Sequence, residues 1–307
     1  MSAGNRRAVN SLLFNIKLTT TESLNLMTNK TILITGASTG IGKCCALHLD
    51  QQGFKVFAGV RKLADGEALQ NEASASLQPI LVDVTDTASI KQAVETITAE
   101  VGVTGLSGLV NNAGIAVAGP LEFLPVDEIR HQFEVNVFGQ LAVTQACLPL
   151  LRQSTNGRIV NMSSMSGKIA LPFVGPYSAS KFALEAFSDS MRLELRRWGI
   201  TVSIIEPGAI KTPIWQKTVK SGMEILNKLP PKAYEFYGSA IKKVPQILEN
   251  GNDRGIPPEK VALAVAHALT TPTPKVRYIV GNDARFAIGF AWLTPYRLRD
   301  WLVSGRR

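Results

Sequence analysis

Cysteine is scarce, at three in 307 residues. Cys44 and Cys45 adjoin in a stretch of helical pattern and Cys147 stands alone, which gives neither a disulfide framework nor the spacing of a thiolate metal site. A reducing interior is the expected setting, with the thiols acting as small buried hydrophobes. Long apolar runs are lacking as well. None reaches the roughly 18 to 20 residues of a membrane-spanning helix, and the first 27 residues have no long apolar centre of the kind a secretory signal needs. No Pro/Gly/Ser-rich linker, charge block or internal repeat divides the middle of the chain, so a single domain beginning near Thr28 is expected.

What is present begins with charge. The formal net charge is +9 and the pI about 9.5, which raises the question of an acidic partner. Between residue 285 and the end, Arg285, Arg297, Arg299, Arg306 and Arg307 face one acid, Asp300, and are interleaved with Phe286, Phe290, Trp292, Tyr296 and Trp301. That mixture suits an amphipathic segment touching a lipid surface; the alternative is a tail packed on its own domain. The expected location is cytoplasmic, peripheral to a membrane if that segment engages one. Nucleic acid is not expected, because no zinc-finger or RNA-sheet signature and no basic stripe occurs in the body of the chain. Residues 1–27 read as a disordered extension ahead of the first strand, although Arg6, Arg7 and Lys17 with a single acid, Glu22, faintly resemble a transit peptide.

Short β-branched runs alternate with longer helical patterns. Strands are predicted at Thr31 to Thr35, Lys55 to Gly59, Ile80 to Val82, Gly108 to Val110, Arg158 to Asn161, Val202 to Ile205 and Arg277 to Val280. Helices are predicted at Ile41 to Leu49, Ile90 to Val101, Val126 to Leu151 and Tyr177 to Trp198. This alternation implies parallel βαβ units, an α/β doubly wound sheet of about seven strands with helices on both faces. Such sheets bind ligands beyond the carboxyl ends of their strands, and every motif below falls at a predicted strand end or helix start.

Gly36, Gly40 and Gly42, spaced Gly-x-x-x-Gly-x-Gly after the first strand and before a helix, permit a tight turn and bring backbone amides toward a pyrophosphate. Tyr177 and Lys181 lie four apart, on one face of a helix. A neighbouring ammonium favours the phenolate and brings a phenol toward the range useful for acid/base work. Ser164 and Ser163 follow the strand Arg158 to Asn161, and either hydroxyl could hold a substrate oxygen.

With Asn111-Asn112-Ala113-Gly114, Asn136, Ser164, Tyr177-x-x-x-Lys181 and Pro207-Gly208 all in order, the sequence resembles the single-domain branch of the short-chain dehydrogenases/reductases over roughly Thr28 to Gly281. Asn112 to Phe187 looks most like members acting on retinoids, hydroxysteroids and other lipophilic alcohols. The resemblance implies a Rossmann-like domain and hydride transfer between a nicotinamide and an alcohol or carbonyl carbon. By resemblance, Tyr177 is the acid/base and Ser164, preferred over Ser163 by its spacing to the tyrosine, holds the substrate oxygen. Asn136 supports a proton relay, and Lys181 tunes Tyr177 and binds the nicotinamide ribose. The cofactor would lie on Gly36, Ser38, Thr39, Gly40, Ile41 and Gly42, with Asp83 and Val84 beside the adenine. Asn112, Ala113 and Gly114 would follow its middle, and Pro207, Gly208, Ile210 and Thr212 its nicotinamide end.

At the end of the second strand the acid that would bind a ribose 2′-hydroxyl is missing. Val60, Arg61 and Lys62 stand there, and Arg61 favours NADP over NAD through a 2′-phosphate. Residues 213–257, with Trp215, Met223, Leu226, Tyr234, Phe236 and Tyr237, correspond to a substrate lid whose apolar side chains favour a lipophilic alcohol or carbonyl. Relatives often associate through their long helices, so a homo-oligomer is expected. A catalytically silent dinucleotide sensor is the alternative; its mark would be a damaged Ser, Tyr or Lys, and none is damaged.

Overall fold

Seven short strands each lie between two layers of helix, which is why they are apolar on both faces. They are β1 (Thr31–Ile34), β2 (Lys55–Val60), β3 (Leu77–Leu81), β4 (Gly108–Asn111), β5 (Arg158–Met162), β6 (Thr201–Pro207) and β7 (Arg277–Val280). The computed structural model describes residues 30–243 and 253–304. The expected extension over residues 1–27 therefore lies outside the described residues, as do residues 244–252 of the expected lid and Arg306 and Arg307.

All pairings are parallel, in the order β3-β2-β1-β4-β5-β6-β7. The chain moves outward from β1 in one direction, then restarts at β4 and moves outward in the other. This reversal leaves a crevice beyond the carboxyl ends of β1 and β4, where ligands of such sheets bind. Leu33 stands opposite Phe57 and Leu109 in the register.

The helices are α1 (Gly40–Gln51), α2 (Leu63–Gln70), α3 (Thr87–Val101), α4 (Val126–Phe133), α5 (Gly139–Gln153), α6 (Gly175–Glu194), α7 (Pro213–Leu226), α8 (Pro231–Ile241), α9 (Glu259–Thr270), α10 (Asn282–Leu293) and α11 (Tyr296–Ser304). Side chains alternate across each strand, so the sheet builds two cores. Ile32 and Ile34 pack with Cys45 and Leu49 of α1 and Val261 and Val265 of α9. Leu33, Phe57 and Leu109 pack on the other face with Ile97 of α3 and Leu150 of α5. Cys45 and Cys147 are members of these two cores, and burial raises their thiols above the ordinary range, Cys147 to about 12. A polar thread also crosses the sheet: Asn111 donates to Thr144 and to Asn161, and Asn161 donates to Ser188 of α6.

Two predicted elements differ from the structure. β3 begins at Leu77 rather than Ile80 and takes in Gln78 and Pro79. It is an edge strand, where a residue without an N–H is tolerated. The single helix predicted over Val126 to Leu151 is two helices joined by a π-helical turn, Glu134–Phe138. Asn136 sits in that turn with its side chain committed to other segments.

Candidate active site

β1 ends in a turn that only glycine can make. Gly36 has φ +66, and a Cβ there would meet the Ala113 backbone at 2.8 Å. A Cβ on Gly42 would collide with the Gly36 carbonyl and the Asn112 amide, so the start of α1 presses directly on the turn. Thr35 and Asn112 hold this corner across the switch point: Asn112 donates from Nδ2 to the carbonyls of Thr35 and Gly36, both at 3.0 Å. The amides of Asn112 and Ala113 donate to Thr35 Oγ1.

The amides of the first turn of a helix have no partners inside it. At α1 no side-chain hydrogen bond caps them and no acid stands in the first turn. This positive, backbone-lined end fits a pyrophosphate. Gly36, Ser38, Thr39, Gly40, Ile41 and Gly42 line one cleft of about 260 Å³. Asn112, Ala113 and Gly114 border the same cleft after β4, and Ser164, Tyr177 and Lys181 lie on its far wall. Pro207, Gly208, Ile210 and Thr212 close it from β6, and a Cβ on Gly40 would meet Thr212 at 3.2 Å.

The opposite end of the cleft holds Arg61, Asp83 and Val84. Asp83 folds into an Asx turn, accepting from the Thr85 amide at 2.9 Å and hydroxyl at 2.7 Å. Burial works to raise its pKa, but the two Thr85 bonds, Arg61 and His131 outweigh it and hold the carboxyl below its ordinary range. The helix cap here is Asp86, which accepts from the Ala88 amide at 2.9 Å. His131, on α4, is a lining residue that the sequence did not single out; its only signal would have been its place on the helix before Asn136.

On the chemical side of the cleft, β5 delivers Ser163 and Ser164, and α6 delivers Tyr177 two residues after the helix start and Lys181 one turn later. Pro176 suits the first turn of that helix because its missing N–H would be unpaired there in any case. The Ser164 hydroxyl accepts from the Ser166 amide at 3.1 Å and lies within hydrogen-bond reach of the Tyr177 hydroxyl. Ser163, buried beside Glu185 and Lys181, has no such contact. Lys181 is 3% exposed, donates to the Met162 carbonyl at 2.8 Å and stands 5.6 Å from the Tyr177 ring centre.

The expected electrostatics need a correction. Burial raises the Tyr177 pKa, the Ser164 hydrogen bond only partly offsets this, and Lys181 does not dominate. Burial also lowers Lys181 to about 8, against the charge of Glu185. In the protein alone, the apolar wall against Tyr177, made of Ala116, Ala118 and Val174, outweighs the nearby ammonium.

Asn136 does not face the cleft with its side chain. Its Oδ1 accepts from the Ile115 amide, and its Nδ2 donates to the Ile115 carbonyl and to Ser180, next to Lys181. Asp283 is another residue that sequence reasoning missed. It accepts from the Ala209 amide at 2.7 Å, and its carboxylate fills the space a side chain on Gly208 would need.

A family model described as short chain dehydrogenase matches residues 30–222. This chain belongs to the short-chain dehydrogenase family. Retinol dehydrogenase 5 of Mus musculus is 40% identical over 279 residues, covering 89% of this chain and 87% of that protein. The NADPH-dependent 3-dehydrocapnine reductase of Ornithobacterium rhinotracheale is 36% identical, covering 87% and 94%. The solved structure of a short-chain dehydrogenase from Streptomyces avermitilis aligns with a TM-score of 0.72 at 30% identity, covering 89% of this chain and 96% of that one. This short-chain dehydrogenase is therefore an NAD(P)-binding oxidoreductase of Rossmann fold acting on CH–OH groups. Among the described residues, no helix is long and apolar enough to cross a membrane, and no group of side chains could hold a metal ion.

Proposed function

We propose that the protein interconverts a lipophilic alcohol and its carbonyl, of retinoid, steroid or long-chain type, using NADP(H) in preference to NAD(H). The observation that carries this reading is the meeting of the Ser164 and Tyr177 hydroxyls in the cleft with the Lys181 ammonium behind them. A bound nicotinamide supplies or accepts the hydride. Ser164 then orients the substrate oxygen, and Tyr177 takes or returns the proton on that oxygen. Lys181 holds the ribose hydroxyls, and its positive charge favours the phenolate once bound ligands have excluded water around it. Asn136 supports the proton path by fixing Ile115 and Ser180, the neighbours of the cleft wall and of Lys181.

NADP is favoured by Arg61 at the end of β2, and His131 adds a second basic group beside Asp83. The name of the bacterial relative, an NADPH-dependent reductase, supports the same preference. A lipophilic substrate is supported by the lid. Phe173, Met223, Leu226 and Ile241 line an apolar space of about 10 Å³ beneath it. The lid is pinned by aromatic contacts of Tyr237 with Phe123 and Phe173, and by a 2.8 Å bond from the Tyr237 hydroxyl to Glu122.

Two partner surfaces complete the proposal. Trp292 is 86% exposed, with Phe286, Leu293, Tyr296 and Trp301 also outward, while Ala284 and Ala291 face the domain. With Arg285, Arg297 and Arg299 nearby, this face fits peripheral contact with an anionic membrane. Exposed Phe138, Phe182 and Phe187 around the long helices suit association of two copies, which light scattering after size exclusion would read directly.

The testing experiment follows loss of NADPH, and separately NADH, over a panel of retinal, steroid ketones, medium-chain aldehydes and small polar ketones, with Tyr177→Phe alongside. Turnover of apolar members with NADPH, lowered by at least about 10²-fold in the variant, is the expected result. Preference for the polar members overturns the substrate class. Failure to bind either nucleotide overturns the whole reading.

A further inference from the structure

Behind the wall that carries Ser164, Tyr177 and Lys181, four segments meet in an ionic cluster that the proposed reaction does not use. Glu206, just before Pro207 on β6, and Glu185, one turn after Lys181 on α6, are 1% and 5% exposed. Lys168, just past the Ser164 turn, places Nζ 2.6 Å from Glu185 Oε2 and 3.6 Å from Glu206 Oε1. Arg277 of β7 places Nε 3.2 Å from each of the same two oxygens. Its Nη2 reaches Asp189 at 2.6 Å, and Arg192 closes the outer edge on Asp189 at 3.3 Å. Every segment bearing Ser164, Lys181 or Pro207-Gly208 thus contributes at least one member.

Both cations crowd onto one oxygen of each glutamate. Glu185 Oε1 is buried without a hydrogen-bond partner among the described residues, and Glu206 Oε1 has ion-pair neighbours but no aligned hydrogen bond. The two carboxyl groups lie within hydrogen-bond reach of one another. Two carboxylates this close and this buried do not both ionise readily, and a proton on one gives the other a donor. Burial first, and then the Glu185 charge, raise Glu206 to about 7 against the pull of Lys168 and Arg277. Glu185 is also the group that opposes the effect of burial on Lys181. The fit is tight: a Cβ on Gly167 would meet Ser163 at 2.8 Å and Glu185 at 3.1 Å, so this turn packs directly on α6 with no space for a side chain between them.

We infer that Glu206, held against Glu185 by the same two cations, carries an exchangeable proton and acts with Glu185 as a positioning pair for the cofactor site, the proton setting the negative charge that faces Lys181 and the seating of the Pro207-Gly208 turn. When the pair loses the proton, the added negative charge strengthens the Lys181 ammonium and loads the Arg277 and Lys168 contacts. When it holds the proton, the ammonium is less supported. The inference rests on the proposal that Lys181 binds the nicotinamide ribose.

The test is NADPH affinity, read by energy transfer from tryptophan to bound NADPH, as a function of pH. The wild type is expected to show an inflection near neutrality in addition to a loss of affinity at higher pH. Glu206→Gln, locked in the uncharged form, removes the neutral inflection. Glu185→Gln moves the high-pH loss downward by about one pH unit. Asp189→Asn, which breaks an Arg277 ion pair outside the carboxyl pair, lowers stability but leaves the profile in place. A Glu206→Gln profile of wild-type shape overturns the inference. If that variant does not fold, carboxyl ¹³C shifts of glutamate-labelled wild type decide the matter: a glutamate titrating near neutrality is expected, and none doing so overturns the pair. Loss of all NADPH binding by the wild type would instead strike the proposed function and leave the carboxyl titration to judge the pair.

Discussion

The ammonium of Lys181 donates to the carbonyl of Met162 at 2.8 Å, which ties the middle of α6 to the end of β5 inside a wall almost without water. That bond replaces only part of the hydration the charge gives up, and burial lowers the lysine from 10.5 to about 8. Between those values the unfolded chain binds the proton and the folded protein does not. Stability contributed at this site therefore rises with pH through that window and is poorest below about 8. Lys181→Met is expected to raise the melting temperature near neutrality while cofactor affinity falls. Its advantage over wild type should shrink as pH climbs toward 10.5, and paired urea denaturations across that range would show a constant gap if burial were not the cause.

Arg61 supplies the charge expected to meet a 2′-phosphate. Arg61→Ala should weaken NADPH binding by roughly tenfold, the worth of one charge-assisted hydrogen bond, and leave NADH binding nearly unchanged. Titration of both nucleotides by intrinsic fluorescence reads the ratio. An equal loss for both would mean that Arg61 shapes the adenine end without selecting the phosphate.

Asn136 satisfies both backbone groups of Ile115 from within the π-helical turn. Asn136→Ala leaves the Ile115 N–H without its partner, while the Ile115 carbonyl keeps its bond from Gln132, at a cost of about 1–3 kcal/mol. Chemical denaturation should show that loss together with reduced turnover. A stability change within about 0.5 kcal/mol, the range of ordinary surface substitutions, would show that the turn is held by its packing alone.

The aromatic face of α10 and α11 is expected to bind vesicles containing phosphatidylserine more strongly than those of phosphatidylcholine alone, with salt weakening the difference. Co-sedimentation of wild type against Phe286→Ser/Trp292→Ser gives the comparison. Wild type left in the supernatant with both vesicle types would assign this face another role.

Much of the site follows from short-range spacing. The Gly36–Gly42 turn, the shared face of Tyr177 and Lys181 and the alternation of strand and helix all depend on residues within a turn or two of each other, where backbone geometry is periodic and local. For the same reason, the extent of β3 and the break at Asn136 were not legible. An edge position excuses Pro79, and a side chain that reaches across to Ile115 stabilises a turn that local propensity would not choose.

The sequence by itself determined the parallel α/β architecture, the glycine-lined nucleotide turn and the family's order of motifs. Only the tertiary structure decided that His131 reaches the Asp83 end of the cleft, that Asp283 braces Gly208 and that Glu185 faces Glu206. Those pairs come from segments far apart in the chain, brought side by side by parallel strands and their crossovers. The pKa values there are set by how completely packing removes water, a quantity no local pattern carries.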